Sequence, residues 1–234
     1  MPYRYGYYFD PTYILVLIGV VISLWASAMV KSTYAKYSKV RSMSGLTGAD
    51  AAERILKSAG IYDVRIEHIA GNLTDHYDPR SRVLRLSDTV FGSASVAAIG
   101  VAAHECGHAI QDDQSYAPLR IRNALVPAAN IGTHAAWPII LVGIFFGSSQ
   151  FLLNLGILLF SLGVLFQLVT LPVEFDASSR AVRILGDSGI LAGEEIGKTR
   201  KVLRAAAMTY VAAAAASILS LLRLILLFGG RDRD

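Results

Sequence analysis

The chain has one cysteine and few charged residues. Because Cys106 has no second cysteine to pair with, no intramolecular disulfide and no cysteine-rich zinc site can form. Charged residues make up 17% of the 234 residues and hydrophobic residues 53%, which is more apolar than is usual for a soluble domain. The net charge of +4 is modest, and basic residues do not interleave with aromatic ones, so nucleic-acid binding is not indicated. The composition predicts a membrane protein.

No basic segment precedes the first apolar run. Residues 13–30 carry no charge and are long enough for a helix to cross roughly 30 Å of hydrocarbon. The tyrosine-rich residues 1–11 fit a ring of aromatic side chains at the membrane boundary. A signal peptide would begin with basic residues, whereas here they follow the run, at Lys31, Lys36, Lys39 and Arg41. We therefore expect an external N-terminus and a cytoplasmic segment after the first span.

Three further apolar runs bring the predicted transmembrane helices to four. Residues 127–147 and 151–171 form a hairpin that turns outside, after a helix break at Pro127, and residues 205–228 form the last span. Basic residues precede the hairpin and recur between residues 180 and 204. They predict a multi-pass protein of the cytoplasmic membrane with both termini outside.

The segment after the first span has turn signals and short periodic stretches. Residues 47–50 resemble a capping box before a short helix that ends at Gly60. Three strand candidates follow, at residues 62–69, 72–77 and 82–86, and could form a small sheet. Such a sheet could bind an extended peptide at its edge or serve only as a scaffold.

The most informative stretch is the pattern His-Glu-x-x-His within residues 101–110. His104 and His108 lie four residues apart, so on a helix both imidazoles can reach one Zn²⁺. Glu105 would lie beside the metal and could take a proton from a zinc-bound water. The alternative is a core helix with two partly buried histidines, but burying these groups among alanine and valine would be costly without a metal or polar partners. The pattern predicts the machinery of a metallopeptidase.

A catalytic zinc needs a third protein ligand, and Glu174 is the best candidate. The predicted hairpin returns the chain to the same side of the membrane before Glu174, and two histidines with a glutamate are an established ligand set. Glu174 and Asp176 could also be first-turn acids of a helix that starts after Pro172, a position that would leave Glu174 free to coordinate the metal. His134 is a second candidate ligand, although we expect it inside the bilayer in an interhelical hydrogen bond.

Several other polar residues are candidates for roles around the metal site. Asp75, His68 and His76 are candidates for contacting a ligand residue rather than the metal. The donor that would stabilise an oxyanion is not identifiable, with His76, Tyr77 and Arg180 as candidates by residue type. Cys106 is two residues from each histidine, so we expect it on another helix face as a buried thiol.

Three segments together resemble the YugP-like neutral zinc metallopeptidases of bacteria: residues 104–109, residues 75–79 and residues 171–178. The resemblance implies an integral membrane gluzincin with zinc held by His104, His108 and Glu174, and with Glu105 as general base. The chain is more distantly similar to the heat-shock and prenyl-protein membrane metalloproteases. Those families place an aspartate four residues after the ligating glutamate, where this chain has Ser178, with its acid at Asp176. Whether Asp176 orients a ligating histidine is therefore open.

The predicted fold class is an α-helical integral membrane protein with four transmembrane helices and a small α+β cytoplasmic zincin-like domain. Its predicted regions are an aromatic segment with the first transmembrane helix (1–41), the cytoplasmic zincin-like subdomain (42–126), the transmembrane hairpin (127–171), a cytoplasmic helical segment with the third ligand (172–204), and the fourth transmembrane helix with the tail (205–234).

The predicted function is a membrane-embedded endopeptidase with one catalytic Zn²⁺ that cleaves peptide bonds at the cytoplasmic face. Its expected partners are the lipid bilayer and a protein or peptide substrate, with no nucleic acid; a homo-oligomer or a membrane regulatory partner stays open. The alternatives are a non-catalytic zinc-binding scaffold and a metal-handling protein, neither of which would need Glu105.

Overall fold

The computed structural model describes residues 10–147 and 149–229. Six helices and three strands occur in these ranges: α1 (Tyr13–Tyr37), α2 (Gly48–Ser58), β1 (Arg65–Ile69), β2 (His76–Asp78), β3 (Val83–Ser87), α3 (Val96–Asp113), α4 (Ala117–Phe145), α5 (Gln150–Asp187) and α6 (Glu194–Phe228). Most of the aromatic N-terminal segment and the charged tail predicted from the sequence lie outside the described residues.

Four helices within the described ranges are long and apolar enough to cross a membrane, namely α1, α4, α5 and α6. α4 packs along α5 as a hairpin, α6 packs against both α1 and α5, and large apolar side chains on these helices face outward. Length, composition and outward apolar faces therefore agree with the four spans that the sequence predicts.

Two of the long helices continue where the sequence predicts an interruption. α4 runs without a break through Pro127 and Pro138, so the predicted helix break at Pro127 is wrong. Pro118 lies in the first turn of α4, where a missing N–H would have had no intrahelical partner. Each internal proline removes one hydrogen bond, and the long packing surface between α4 and α5 compensates for this loss.

α5 likewise passes through Pro172 and ends at Asp187, so a helix starting after Pro172 is also wrong. Glu174 and Asp176 are therefore interior residues of α5 rather than first-turn acids. The chain turns at Gly189, whose φ of 67° favours glycine, and α6 then begins at Glu194. As a result α5 is one continuous helix that extends from its apolar part to the polar residues around Glu174.

The elements between α1 and α4 pack in one hydrophobic core, to which α1, α5 and α6 also contribute residues. Thr47 and Asp50 form the predicted capping box of α2, and Ser95 caps α3 by accepting from the Ala98 N–H at 3.1 Å. The predicted sheet is confirmed, with β3 central, β1 parallel to it and β2 antiparallel on its other side. The fully buried Leu84 and Leu86 of β3 pack in the same core as α2 and α3. This order leaves β2 as an outer strand, in contact with α3.

Candidate metal centre

α3 presents the two motif histidines on one face. The ring centroids of His104 and His108 are 4.7 Å apart in an edge-to-face arrangement. Cys106 lies on another face, as the sequence predicts, and its thiol is fully buried 3.6 Å from the Ala52 carbonyl oxygen. Burial raises the pKa of this thiol, which keeps it neutral and unreactive.

The side chain of Glu174, on α5, lies next to the imidazoles of His104 and His108. Its Oε2 lies 3.3 Å from His104 Nε2 and 3.6 Å from His108 Nε2, and one potential ligand atom from each residue falls within a mutual 4.8 Å. Four-coordinate zinc with bonds of about 2.0–2.2 Å would separate its ligand atoms by roughly 3.3–3.6 Å. Glu174 is 2% exposed, and its Oε2 has no hydrogen-bond partner among the described residues. A buried carboxylate oxygen facing two imidazole nitrogens is the donor set that a zinc ion fits.

The proton on His108 is placed by Gln111, which is fully buried. Gln111 Nε2 donates to the Val173 carbonyl at 2.9 Å and to Asp176 Oδ2 at 2.8 Å, so its Oε1 must face His108 Nδ1, 3.0 Å away. Nδ1 therefore carries the proton, and the lone pair of Nε2 points toward Glu174. Asp176 thus acts on His108 through Gln111, a residue that the sequence analysis did not single out.

His104 has a different outer partner. Ser178 Oγ, four residues after Glu174 on α5, lies 3.2 Å from His104 Nδ1. A serine hydroxyl can accept a hydrogen bond from the Nδ1–H group of His104, which leaves the Nε2 lone pair available to a metal. Unlike a carboxylate, the hydroxyl carries no charge. Asp176, in turn, is paired with Arg180 one turn later on α5.

Burial and nearby charge oppose each other at His108. Burial disfavours its protonated form, but the neighbouring carboxylates of Glu174 and Glu105 outweigh burial and raise the pKa of His108. The site is thus a region of negative potential that attracts a cation, whether a proton or a metal ion.

A close approach of α3 to α5 makes this cluster possible. A Cβ atom at Gly107 would lie 2.8 Å from the Ala177 carbonyl oxygen and 3.2 Å from the Ala177 Cα. Glycine therefore allows the two backbones to approach each other between the histidines and Glu174.

Glu105 lies beside the cluster and is 7% exposed. Its Oε2 accepts the backbone N–H of Tyr77, on the outer strand β2, at 3.0 Å. The Tyr77 hydroxyl donates to Asp112 at 2.9 Å, and burial together with this carboxylate raises the pKa of the phenol. Tyr77 thus positions Glu105 through its main chain, while its hydroxyl is engaged elsewhere.

The site opens into a cavity of about 140 Å³. Glu105, His108 and Glu174 line one part of it, and the rest includes His76, Asn123, Arg122 of α4 and Tyr210 of α6. Arg122 Nε is buried with no hydrogen-bond partner among the described residues. Tyr210 could not be identified from the sequence, because nothing in the alanine-rich run around it indicates that α6 packs beside the motif helix.

The other sequence candidates lie in separate places. His134 Nδ1 lies 2.8 Å from the Asn130 carbonyl of its own helix, so the expected interhelical bond is wrong, and His134 is not part of the cluster. His68 pairs with Asp88, and Asp75 accepts from Ser87 while also lining the cavity. Arg180 binds Gln114 and stacks on Tyr116.

Comparison with known proteins agrees with this geometry. A family model described as "Putative neutral zinc metallopeptidase" matches residues 12–229. The chain is 48% identical over 221 residues to "Putative membrane protease YugP" of Bacillus subtilis (strain 168), covering 94% of this chain and 98% of that protein. No solved structure matches. Since the family model spans nearly all of the chain around the histidine–glutamate cluster, the chain belongs to the neutral zinc metallopeptidase family.

Proposed function

We propose that the protein is a zinc-dependent endopeptidase of the cell membrane that cleaves peptide bonds at the cytoplasmic face. The observation that carries this proposal is the buried Oε2 of Glu174, which faces His104 and His108 and has no hydrogen-bond partner within the described part of the chain, with Glu105 lining the same cavity. His104, His108 and Glu174 would hold one zinc ion, which leaves a fourth position for water or substrate.

Bound zinc would supply Lewis-acid polarisation and lower the pKa of water at the site. Glu105 then acts as general base by taking a proton from the attacking water, and as general acid by delivering that proton to the departing amine. Its hydrogen bond from the Tyr77 N–H fixes the carboxylate at the cavity wall. Gln111 and Ser178 keep both imidazoles in the tautomer whose Nε2 faces the cluster.

Tyr210 is the donor that we assign to the oxyanion of the tetrahedral intermediate. Its side chain lines the cavity shared with Glu105 and Glu174, and a phenol hydroxyl can donate a hydrogen bond without adding a charge. Arg122, whose Nε has no partner within the described ranges, would bind a substrate carbonyl farther along the cavity. These residues replace His76, Tyr77 and Arg180 as the preferred donors.

The substrate is proposed to be a protein or peptide that binds in extended form along β2. His76 and Tyr77 of this strand line the cavity, and β3 covers only one of its edges. Glu174 of α5 and Tyr210 of α6 lie in or next to the apolar parts of these helices. The scissile bond would therefore lie close to the bilayer surface. Membrane-associated or misfolded proteins reached from the cytoplasm are therefore the expected substrates.

The decisive experiment compares Glu105→Gln with the wild type in purified, zinc-loaded protein. We expect Glu105→Gln to retain one zinc per chain and to lose cleavage of a casein-like substrate by at least about a hundredfold. Glu53→Gln, at an exposed residue of α2, is the matched control and should cleave normally. Unchanged cleavage by Glu105→Gln would overturn the assignment of the base. Zinc binding with no cleavage even by the wild type would favour a non-catalytic metal protein.

The ligand assignment needs its own measurement. Elemental analysis of the His104→Ala, His108→Ala and Glu174→Ala proteins should show loss of stoichiometric zinc in each. Full zinc occupancy in Glu174→Ala would contradict its role as third ligand.

A further inference from the structure

A second cavity lies behind the metal centre, between the polar end of α5 and the start of α6. We call it the arginine groove; it has a volume of about 610 Å³, and its lining includes Phe175, Ser178, Asp187, Leu203 and three arginines, Arg183, Arg200 and Arg204. None of these residues takes part in the proposed chemistry directly.

The three arginines of the groove are exposed. Arg183, Arg200 and Arg204 are solvent-accessible, and none forms an ion pair or hydrogen bond with any residue in the described ranges. Asp187 is the acidic residue of the lining and is likewise not paired with them. Three positive charges against one negative make the groove a site for an anion with several acceptor oxygens.

The floor of the groove is apolar and continues toward the membrane. Leu203 and Ala207 form part of it, and Phe175 is 47% exposed although it is a large aromatic side chain. Phe175 and Ala207 adjoin the apolar runs of α5 and α6, so an acyl chain leaving the groove would run directly along them.

The basic surface extends around α6. On the other side of Arg204 lies a groove of about 440 Å³ between α1 and α6, which also contains Lys36 and Lys201 together with Trp25 and Met29. In this groove the basic side chains lie at the polar ends of α1 and α6, and the apolar side chains lie farther along the apolar parts of these helices. Basic pockets between transmembrane helices on the cytoplasmic side are suited to anionic lipid headgroups.

We propose that the arginine groove binds an anionic phospholipid, with the headgroup phosphate held by Arg183, Arg200 and Arg204 and one acyl chain lying on Phe175. This inference rests on the membrane location given under the proposed function. A free acidic peptide would satisfy the charges but would leave Phe175 and the adjoining apolar surface exposed. A zwitterionic lipid would cover the apolar surface but would place an ammonium group among the arginines.

The groove is linked to the metal centre through one side chain. Ser178 lines the groove, and its Oγ contacts Nδ1 of His104. A lipid seated there would exclude water from the outer side of this hydrogen bond and hold α5 and α6 together behind the ligand. We therefore expect anionic lipid to increase peptidase activity as well as to bind.

Native mass spectrometry of the full-length Glu105→Gln protein in neutral detergent tests the binding. Phosphatidylglycerol and phosphatidylcholine with identical acyl chains are the two probes, and soluble glycerol phosphate and an acidic peptide are the competitors. We expect phosphatidylglycerol to be retained preferentially, and the Arg183→Gln/Arg200→Gln/Arg204→Gln protein to retain it at least about tenfold less. The matched control changes three exposed arginines outside the long helices, Arg54→Gln/Arg65→Gln/Arg80→Gln, and should retain lipid normally.

The readout needs neither zinc nor hydrolysis, so its failure is distinct from failure of the proposed peptidase function. Equal retention of both lipids, or unchanged phosphatidylglycerol retention by the triple variant, would overturn the proposal. So would displacement of the lipid by the acidic peptide at equal concentration. If the triple variant does not fold, Arg200→Gln/Arg204→Gln should show an intermediate loss, and a double variant that binds like the wild type would overturn the proposal equally.

Discussion

At the scale of single residues, the tautomers of the two imidazoles matter most. Gln111 donates two hydrogen bonds to α5 and is left with one acceptor for His108, so its amide can take only one orientation. Outer partners of this kind fix the ring and raise the basicity of the nitrogen that binds the metal. The same residue ties α3 to the backbone of α5 at Val173.

Replacing Gln111 should therefore weaken metal binding without removing a ligand. We expect Gln111→Leu to lower zinc affinity about 10- to 100-fold, because His108 loses its acceptor and the Asp176 carboxylate loses a donor. Competition with a chromogenic chelator measures this directly. Ser178→Ala should have a smaller effect, since a serine hydroxyl is an uncharged partner. Wild-type affinity in Gln111→Leu would show that the bond to His108 does not orient it.

Tyr210 provides a separate test of the proposed chemistry. Tyr210→Phe keeps the ring and removes the hydroxyl, so zinc content and KM should change little while kcat falls by about 10²–10³. The nearby Tyr116→Phe serves as control, because its ring stacks on Arg180 outside the cavity. A Tyr210→Phe protein with full kcat would assign the oxyanion to another donor, with Arg122 the next candidate.

At the scale of elements, the metal centre depends on the distance between α3 and α5. Gly107 is the contact point, and a methyl group there would press on a backbone carbonyl that cannot rotate away. Because α5 is one continuous helix through Pro172, any displacement at Ala177 would also move Glu174.

Substitution of two different glycines by alanine should therefore have different effects on the melting temperature. Gly107→Ala should lower the melting temperature and weaken zinc binding, since overpacking at about 1–3 kcal/mol outweighs the gain in helix propensity. Gly197→Ala in α6 places a Cβ in open space and should raise or maintain the melting temperature. Thermal unfolding in detergent, with and without a chelator, distinguishes the two. Equal behaviour of the variants would mean that the close approach does not limit the site.

At the scale of the whole molecule, the proposed action at the cytoplasmic face depends on the orientation of the protein in the membrane. Positive residues predict that the loop after α1 is cytoplasmic and that the α4–α5 turn is external. Met43 in that loop is 91% exposed and Phe146 at the turn is 75% exposed, so both positions would be accessible to a reagent.

Because the single native cysteine is buried, labelling can test the orientation with little background. In a Cys106→Ala protein, we expect Phe146→Cys to react with a membrane-impermeant maleimide on intact cells. Met43→Cys should react only after the membrane is opened. The reverse pattern would place the metal centre outside and contradict the proposed cytoplasmic action.

Much of this protein follows from local sequence. The four-residue spacing of His104 and His108, the lengths of the apolar runs, and the cap at Thr47 each depend on residues close together in the chain, where helix periodicity and hydrogen bonding act directly. These features were predicted and the elements they describe are present, although the metal itself stays a proposal.

Only the tertiary structure decided which distant residues meet. α4 and α5 remain continuous helices at Pro127 and Pro172, although proline is locally disfavoured inside helices, because packing between the helices stabilises them. The roles of Gln111 and Tyr210, and the grouping of the three groove arginines, arise because separate helices approach one another. Such contacts depend on the shapes of both surfaces, and no periodicity within one segment of the chain encodes them.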